Sequence, residues 1–311
     1  MHFFLGVTDL QWYNHLRSQM PPVREVNFWR PGGQTFSAVP EGSPFLFKLK
    51  APINKIGGVG FFRSSLKLPV RLAWETFTLM NGRESYEELR NVIGRLSQNR
   101  SASGMTEIGC ILLDNPVFFE EEDWIESPTD FSANIVSGKT YDATIGEGAR
   151  VWQRVLALIQ SGAGTSAVEE RSELIPTVFG KSYLRKSRPG QAGFRIGLTE
   201  AYQRRCAITG ENILPVLEAA HIQPVAYNGT NDLTNGLLLR SDMHILYDEG
   251  LLGITPDYTI QVSEQIRQAY VNGKVYYSWD GKPLTKLPSD PELQPDRERL
   301  EWHMQNVFVG G

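Results

Sequence analysis

The first 145 residues set short apolar stretches between turn-forming residues, and the period within each stretch separates strand from helix. Phe3–Val7 reads as a strand, and Asp9 can cap a short helix carrying Trp12, Tyr13 and Leu16. Val26-Asn-Phe-Trp-Arg-Pro-Gly-Gly33 is an aromatic pair entering a turn. Phe45-Leu-Phe-Lys-Leu-Lys50 alternates apolar and basic at its end, which predicts a half-buried strand. Gly57-Gly-Val-Gly-Phe-Phe62 predicts another, its glycines marking a bulge or a close backbone approach. Pro69 opens a helix through Phe77, Ser85–Leu96 is helical in period, and Gly109–Leu113 returns to strand. Phe118-Phe119 then precedes an acidic run, Glu120–Asp123. This order predicts α+β structure, with a small curved sheet or barrel and few helices.

Gly146–Ser161 predicts a helix with Val151, Trp152, Val155, Leu156 and Ile159 on one face, and Ser161-Gly-Ala-Gly-Thr-Ser breaks it. The expected organisation is therefore a domain over 1–145, a helical connector over 146–177, and a second domain over 178–311. From 206 the pattern changes. A short apolar run, Leu217-Glu-Ala-Ala-His221-Ile, ends at Pro224. A polar loop with turn signals at Asn228-Gly229 and Asn235-Gly236 follows, then a second apolar run (Leu237–Leu239). Ser241 and Asp242 can open a helix with His244 in its first turn. Tyr258–Val262 predicts a strand and Pro291–Phe308 a polar helix carrying Trp302 and His303, the latter expected to be structural. The unit is strand, loop, strand, helix, and its two imidazoles would face each other across a gap fit for a cation and a phosphate.

Charge and composition narrow the partners. Net charge is −4 over 311 residues, so a nucleic-acid partner requires clustered basic residues. Such a cluster exists: Lys181, Arg185, Lys186, Arg188, Arg195, Arg204 and Arg205 face the single acid Glu200 between 181 and 205. Phosphate neutralisation drives non-specific duplex affinity, so DNA is expected there. No apolar run approaches the roughly 20 residues of a membrane span, and a cytoplasmic home is expected. The two cysteines, Cys110 and Cys206, support neither a disulfide framework nor a four-cysteine zinc site.

The stretch 206–254 resembles the HNH nucleases, whose fold is the ββα-metal module, in the variant whose first strand reads Glu-Ala-Ala-His. Asn235 follows His221 by 14 residues and His244 follows Asn235 by 9. Arg205-Cys206, Thr209-Gly210, Pro224, Gly236, Arg240 and Gly250 carry the likeness further. The resemblance implies that His221 is the general base, His244 a metal ligand, and Asn235 the residue that holds the loop and orients the base. It implies a divalent metal, Mg²⁺ before Mn²⁺, Co²⁺ or Ni²⁺. Many HNH modules place a second ligand directly before the base, and Ala220 stands there. Alternation along the strand turns Glu218 to the same side, so Glu218 is the candidate replacement. Asp242 and Asp248 are weaker candidates.

The N-terminal layout, opening with Phe-Leu-Gly-Val-Thr-Asp, resembles the PUA superfamily with its EVE, ASCH and SRA-like readers of modified bases. That resemblance implies a pocket for a flipped base stacked on aromatics, with Asp9, Trp12, Phe28 and Trp29 as its candidate lining. Core packing is the ordinary role of any one of these aromatics. Together the two resemblances imply a modification-dependent DNA endonuclease reading 5-hydroxymethyl- or 5-methylcytosine. A single HNH site cuts one strand, so a homodimer is expected. A phosphorothioate-dependent enzyme and a non-catalytic binder of modified DNA are the alternatives.

Overall fold

The apolar stretches of the N-terminal half pair into one sheet, and both faces of that sheet are covered. The computed structural model describes residues 1–97, 103–164, 190–269 and 273–310. Contacts divide the chain into two units, Met1–Ser187 and Arg188–Gly311.

In the first unit, β1 (His2–Thr8), β2 (Glu25–Arg30), β3 (Pro44–Leu49), β4 (Lys55–Pro69), β5 (Glu107–Phe118) and β7 (Gly138–Asp142) form a sheet of order β2-β5-β4-β3-β1-β7. The short β6 (Ile125–Glu126) pairs with β4. β1 and β3 run parallel and the other pairs are antiparallel. The sheet is open, with β2 and β7 at its ends. Register shifts at Val59/Phe61 and Phe62/Ser64 bend the long β4 against β5, which supplies the expected curvature. β3, expected to be half-buried, is buried along its whole length. Helix α1 (Leu10–Arg17) packs Trp12, Tyr13 and Leu16 with Phe28, Phe45 and Phe47 on one face. Helix α4 (Gly146–Gln160) packs Val151, Trp152, Val155, Leu158 and Ile159 with Phe3, Leu5, Leu46 and Phe61 on the other. A strand covered on both faces reads as continuous apolar sequence rather than as alternation.

The helix expected as a connector therefore belongs to the first unit's core. Its apolar face is wide enough to close one side of the sheet, and burial of that face outweighs a free-standing role. The rest of the expected connector, 165–177, lies outside the described residues. Helices α2 (Val70–Phe77) and α3 (Tyr86–Leu96) follow the expected boundaries, α3 being capped by Ser85, which accepts from the Glu88 amide at 3.2 Å.

The second unit opens with α5 (Gln191–Ala201), which the basic composition of its neighbourhood had masked. Strands β8 (Leu217–His221) and β9 (Gly236–Arg240) form an antiparallel hairpin that runs into α6 (Ser241–Asp248). A second hairpin, β10 (Leu252–Ile254) with β11 (Ile260–Val262), is followed by the short α7 (Gln265–Ala269) and α8 (Lys274–Tyr277). The expected strand from Tyr258 starts at Ile260, because Tyr258 sits in a turn at φ 66. The expected terminal helix is α9 (Arg297–Asn306), whose first turn is capped by Asp296 accepting from Glu298 and Arg299 amides. Among the described residues, no helix is long and apolar enough to cross a membrane.

His303 on α9 is a packing residue, as expected. It is 2% exposed, stacks on the Tyr247 ring at 3.7 Å, and donates from Nε2 to the Tyr247 carbonyl at 3.1 Å. Burial disfavours its charged form and lowers its pKa to about 4. The unfolded chain then binds a proton that the folded one does not between about pH 6.5 and pH 4. Stability from this group is complete above that window and falls as pH drops through it, by about 3 kcal/mol. Urea unfolding at pH 7.5 and pH 4.5 should show this loss, and His303→Gln should flatten the slope over the same interval.

Candidate active site

The β8–β9 hairpin places the histidines through strand alternation. Glu218 and Ala220 point to one face of β8, Leu217, Ala219 and His221 to the other. Helix α5 covers the second face, and the Phe194 ring stacks on the His221 imidazole at 4.2 Å and 10°. His221 pairs across the hairpin with Gly236, where any Cβ would lie 2.7 Å from the Phe194 ring. That close approach is what requires glycine after Asn235. His221 Nε2 lies 2.9 Å from the side-chain oxygen of Asn231.

Asn235 bonds within the loop between the two strands. It is fully buried, its Oδ1 accepts from the Gln223 amide at 2.9 Å, and its Nδ2 donates to the Gln223 carbonyl at 2.9 Å and the Thr230 carbonyl at 2.8 Å. It thus closes the loop, while the side chain on His221 is Asn231. Only geometry separates these two asparagines, four residues apart in one loop.

His244 stands on the other face. Its Nδ1 lies 2.6 Å from Glu218 Oε2 and its Nε2 3.2 Å from Asp248 Oδ2. Burial alone would lower its pKa, but the hydrogen bonds to Asp248 and Glu218 outweigh that and hold it above the ordinary value. Glu218 and His221 have opposite parity on β8, so the carboxylate that meets His244 and the imidazole stacked on Phe194 leave the strand in different directions. Asp242 is elsewhere engaged. Arg240 grips both its oxygens, at 2.6 and 2.8 Å, and holds the carboxyl below its usual range. Of the two weaker candidates, Asp248 is the one that reaches His244, since it lies one helical turn after it. Ala220 is completely buried in the core.

Residues 206–255 match the family model for HNH endonucleases. This part of the chain is an HNH endonuclease domain. Among solved structures, the chain is similar to the ASCH protein from Zymomonas mobilis at 12% identity, covering 50% of this chain and 94% of that one, with a TM-score of 0.32. A single-site mutant of that protein gives 11%, 50%, 95% and 0.34. The chain is also similar to the modification-dependent TagI restriction endonuclease at 12% identity, over 98% of this chain and 83% of that one, with a TM-score of 0.32. No curated protein matches the chain.

HNH endonucleases generally use divalent metal ions. Among the described residues, no three His, Cys, Asp or Glu side chains are already gathered as a metal site. The donors around His244 fit a divalent ion chemically, since carboxylate oxygens suit Mg²⁺ and Mn²⁺ and an imidazole nitrogen suits Ni²⁺ and Zn²⁺. Glu218 and Asp248 lie on opposite ring nitrogens, so only one of them can share an ion with a given nitrogen as placed.

The remaining expected residues divide between the units. Arg185, Lys186 and Arg188 lie outside the described residues. Arg195 reaches the Leu217 carbonyl at 3.5 Å. Arg204 and Arg205 are exposed in the turn that ends α5, where Gln203 and Arg204 both have positive φ. Lys286, which no motif singled out, joins that turn by donating to Gln203 at 2.8 Å. In the first unit, Asp9, Trp12, Phe28 and Trp29 all line one cavity of about 470 Å³, with Arg30 and Lys50. Trp12 and Phe28 are 2% and 6% exposed and pack edge-to-face, so they form its floor; Trp29 is the half-buried aromatic. Asp9 caps α1 through one oxygen and accepts from buried Arg83 at 2.8 Å through the other. Arg83 also lies over the Trp29 ring at 5.4 Å. Only the fold could have assigned Arg83, 74 residues from Asp9, to this place.

Calorimetric Mn²⁺ titration should separate the carboxylates. Glu218→Gln and Asp248→Asn are expected to weaken binding about 10- to 100-fold, and His244→Ala to abolish it, whereas Asp242→Asn should leave affinity within about threefold. Equal losses for all three carboxylates would contradict this ligand assignment.

Proposed function

We propose that the chain is a modification-dependent DNA endonuclease, in which the first unit reads a modified cytosine and the HNH domain hydrolyses a nearby phosphodiester. The observation that carries this reading is the cavity: four side chains expected in a base pocket line it together, in the unit that does not hold the nuclease site. Its volume falls within the usual range of about 300–1,000 Å³ for small-molecule sites. Trp29 offers a ring face to a base, and Asp9, held by Arg83, offers a carboxylate oxygen to a donor such as an exocyclic amine.

Hydrolysis follows from the two sides of β8. His221 takes a proton from water, a task suited to an imidazole at neutral pH. A divalent cation, Mg²⁺ before Mn²⁺, Co²⁺ or Ni²⁺, would polarise the phosphate and stabilise the departing 3′-oxygen, held by His244 with Glu218 or Asp248. The scissile phosphate would lie along the edge of β8 not paired with β9. Arg204, Arg205 and Lys286 would neutralise neighbouring phosphates. One site cuts one strand, so a double-strand break requires two copies of the chain. A second reading, a phosphorothioate-dependent enzyme, is favoured by Arg30 and Lys50, basic residues on the same aromatic cavity.

Binding by the inactive His221→Ala protein tests the reader without cleavage. Duplexes of one sequence carrying 5-methyl- or 5-hydroxymethylcytosine should bind more tightly than the unmodified one. Trp29→Ala should remove that preference, costing roughly 5- to 150-fold for a stacked base. Preference confined to phosphorothioate DNA would select the second reading, and equal binding of every duplex would overturn both. Arg204→Ala with Arg205→Ala should weaken all duplexes alike and reduce the salt slope by about 2.

A further inference from the structure

The loop between β8 and β9 is gripped from outside the hairpin. The Asp296 amide donates to the Thr234 carbonyl at 2.9 Å. Arg299 on α9 donates from Nη1 to Thr230 Oγ1 at 3.1 Å, and its Nη2 lies 3.7 Å from Asp232 Oδ2. The Trp302 ring, one helical turn onward, lies 5.8 Å from Tyr227. Thr230 Oγ1 in turn donates to Asp232 at 2.5 Å, and the Thr230 carbonyl accepts from buried Asn235. Between Thr230 and Asp232, both held by Arg299, stands Asn231, the residue on His221. None of the gripping residues falls within the matched segment 206–255.

We propose that α9 is a working part of the active site: Arg299 fixes the Thr230–Asp232 segment so that Asn231 sets the tautomer of His221. The inference rests on the reading of His221 as general base. A neutral imidazole carries one N–H, and an amide oxygen 2.9 Å from Nε2 selects the form protonated there. Nδ1 is then the nitrogen with a free lone pair. A water O–H bond breaks and its proton passes to Nδ1; the hydroxide oxygen bonds to phosphorus as the P–O3′ bond breaks, and the 3′-oxygen leaves with that electron pair and takes a proton from solvent water. As the ring becomes cationic its Nε2–H bond to Asn231 becomes charge-assisted and shorter, so Asn231 acts most strongly in the transition state. Phe194 fixes the ring plane and Asn231 the rotation within it. Asn231 and Arg299 are positioning residues; neither touches the reacting atoms.

The chain has five histidines, so ¹⁵N-histidine labelling of the full-length protein resolves each ring. His221 should show the Nε2-protonated form, and Asn231→Ala and Arg299→Met should both convert it to a mixture. In single-strand cleavage assays Asn231→Ala should lower kcat about 10- to 100-fold, with KM within about twofold. Arg299→Met should act in the same direction less severely, with Arg299→Lys partly restoring the rate. Asn231→Asp, nearly isosteric, should retain the rate and move the acid limb of the pH–rate profile upward. A kcat within about twofold for Asn231→Ala, or an unchanged His221 tautomer in that variant, would overturn the proposal. So would a loss confined to KM or to melting temperature. Full activity of His221→Ala would instead remove the general-base reading itself, whatever Asn231 does.

Discussion

The buried amide of Asn235 is the contact on which the nuclease site depends. It replaces a stretch of backbone pairing: one side chain satisfies both the N–H and the carbonyl of Gln223 and then reaches Thr230. A buried donor or acceptor left unmade costs about 1–3 kcal/mol, and this side chain presents three such bonds at once. The loop it closes carries Asn231, and Asn231 meets His221. Gly236 then lets Phe194 approach the imidazole from the other side. One ring is thus contacted in its plane by Asn231 and on its face by Phe194.

Both sites share a way of holding a polar group. At each, a side chain at the end of a strand meets a buried or half-buried partner: Arg83 behind Asp9, and Asn231, in a loop that Arg299 grips, beside His221. A net-negative chain can therefore carry a nucleic-acid site, because local placement of a few charges decides the field where it acts. His244 shows the same logic in reverse. Two carboxylates converge on one imidazole and raise its affinity for a proton, which marks a place where positive charge is favoured.

The backbone of the nuclease module was legible because its signals are local. Spacing of His221, Asn235 and His244, a turn pair, and a helix start all lie within 50 residues. The partners were less legible. Asn235 and Asn231 share a loop and a residue type, and only the fold shows which one meets the base. Asp242 sits at a helix start and Asp248 one turn after His244; the claim of Arg240 on Asp242 decides between them. In the first unit, Trp12, Phe28, Trp29 and Asp9 came from residue type and position in a resembling layout. Arg83 did not, since a lone arginine between two helices carries no pattern. Strands β4 and β5 ran far longer than their apolar cores suggested, because bulges carry the pairing through Arg63, Ser64 and Ser65, where alternation breaks.

The central claim is that one unit decides where the other cuts. Its most direct test is cleavage of a single plasmid sequence prepared with cytosine, 5-methylcytosine or 5-hydroxymethylcytosine, in Mg²⁺ or Mn²⁺, with His221→Ala as control. The account predicts cutting confined to a modified plasmid and absent in the control. Equal cutting of all three plasmids would leave a nuclease without a reader and contradict the account.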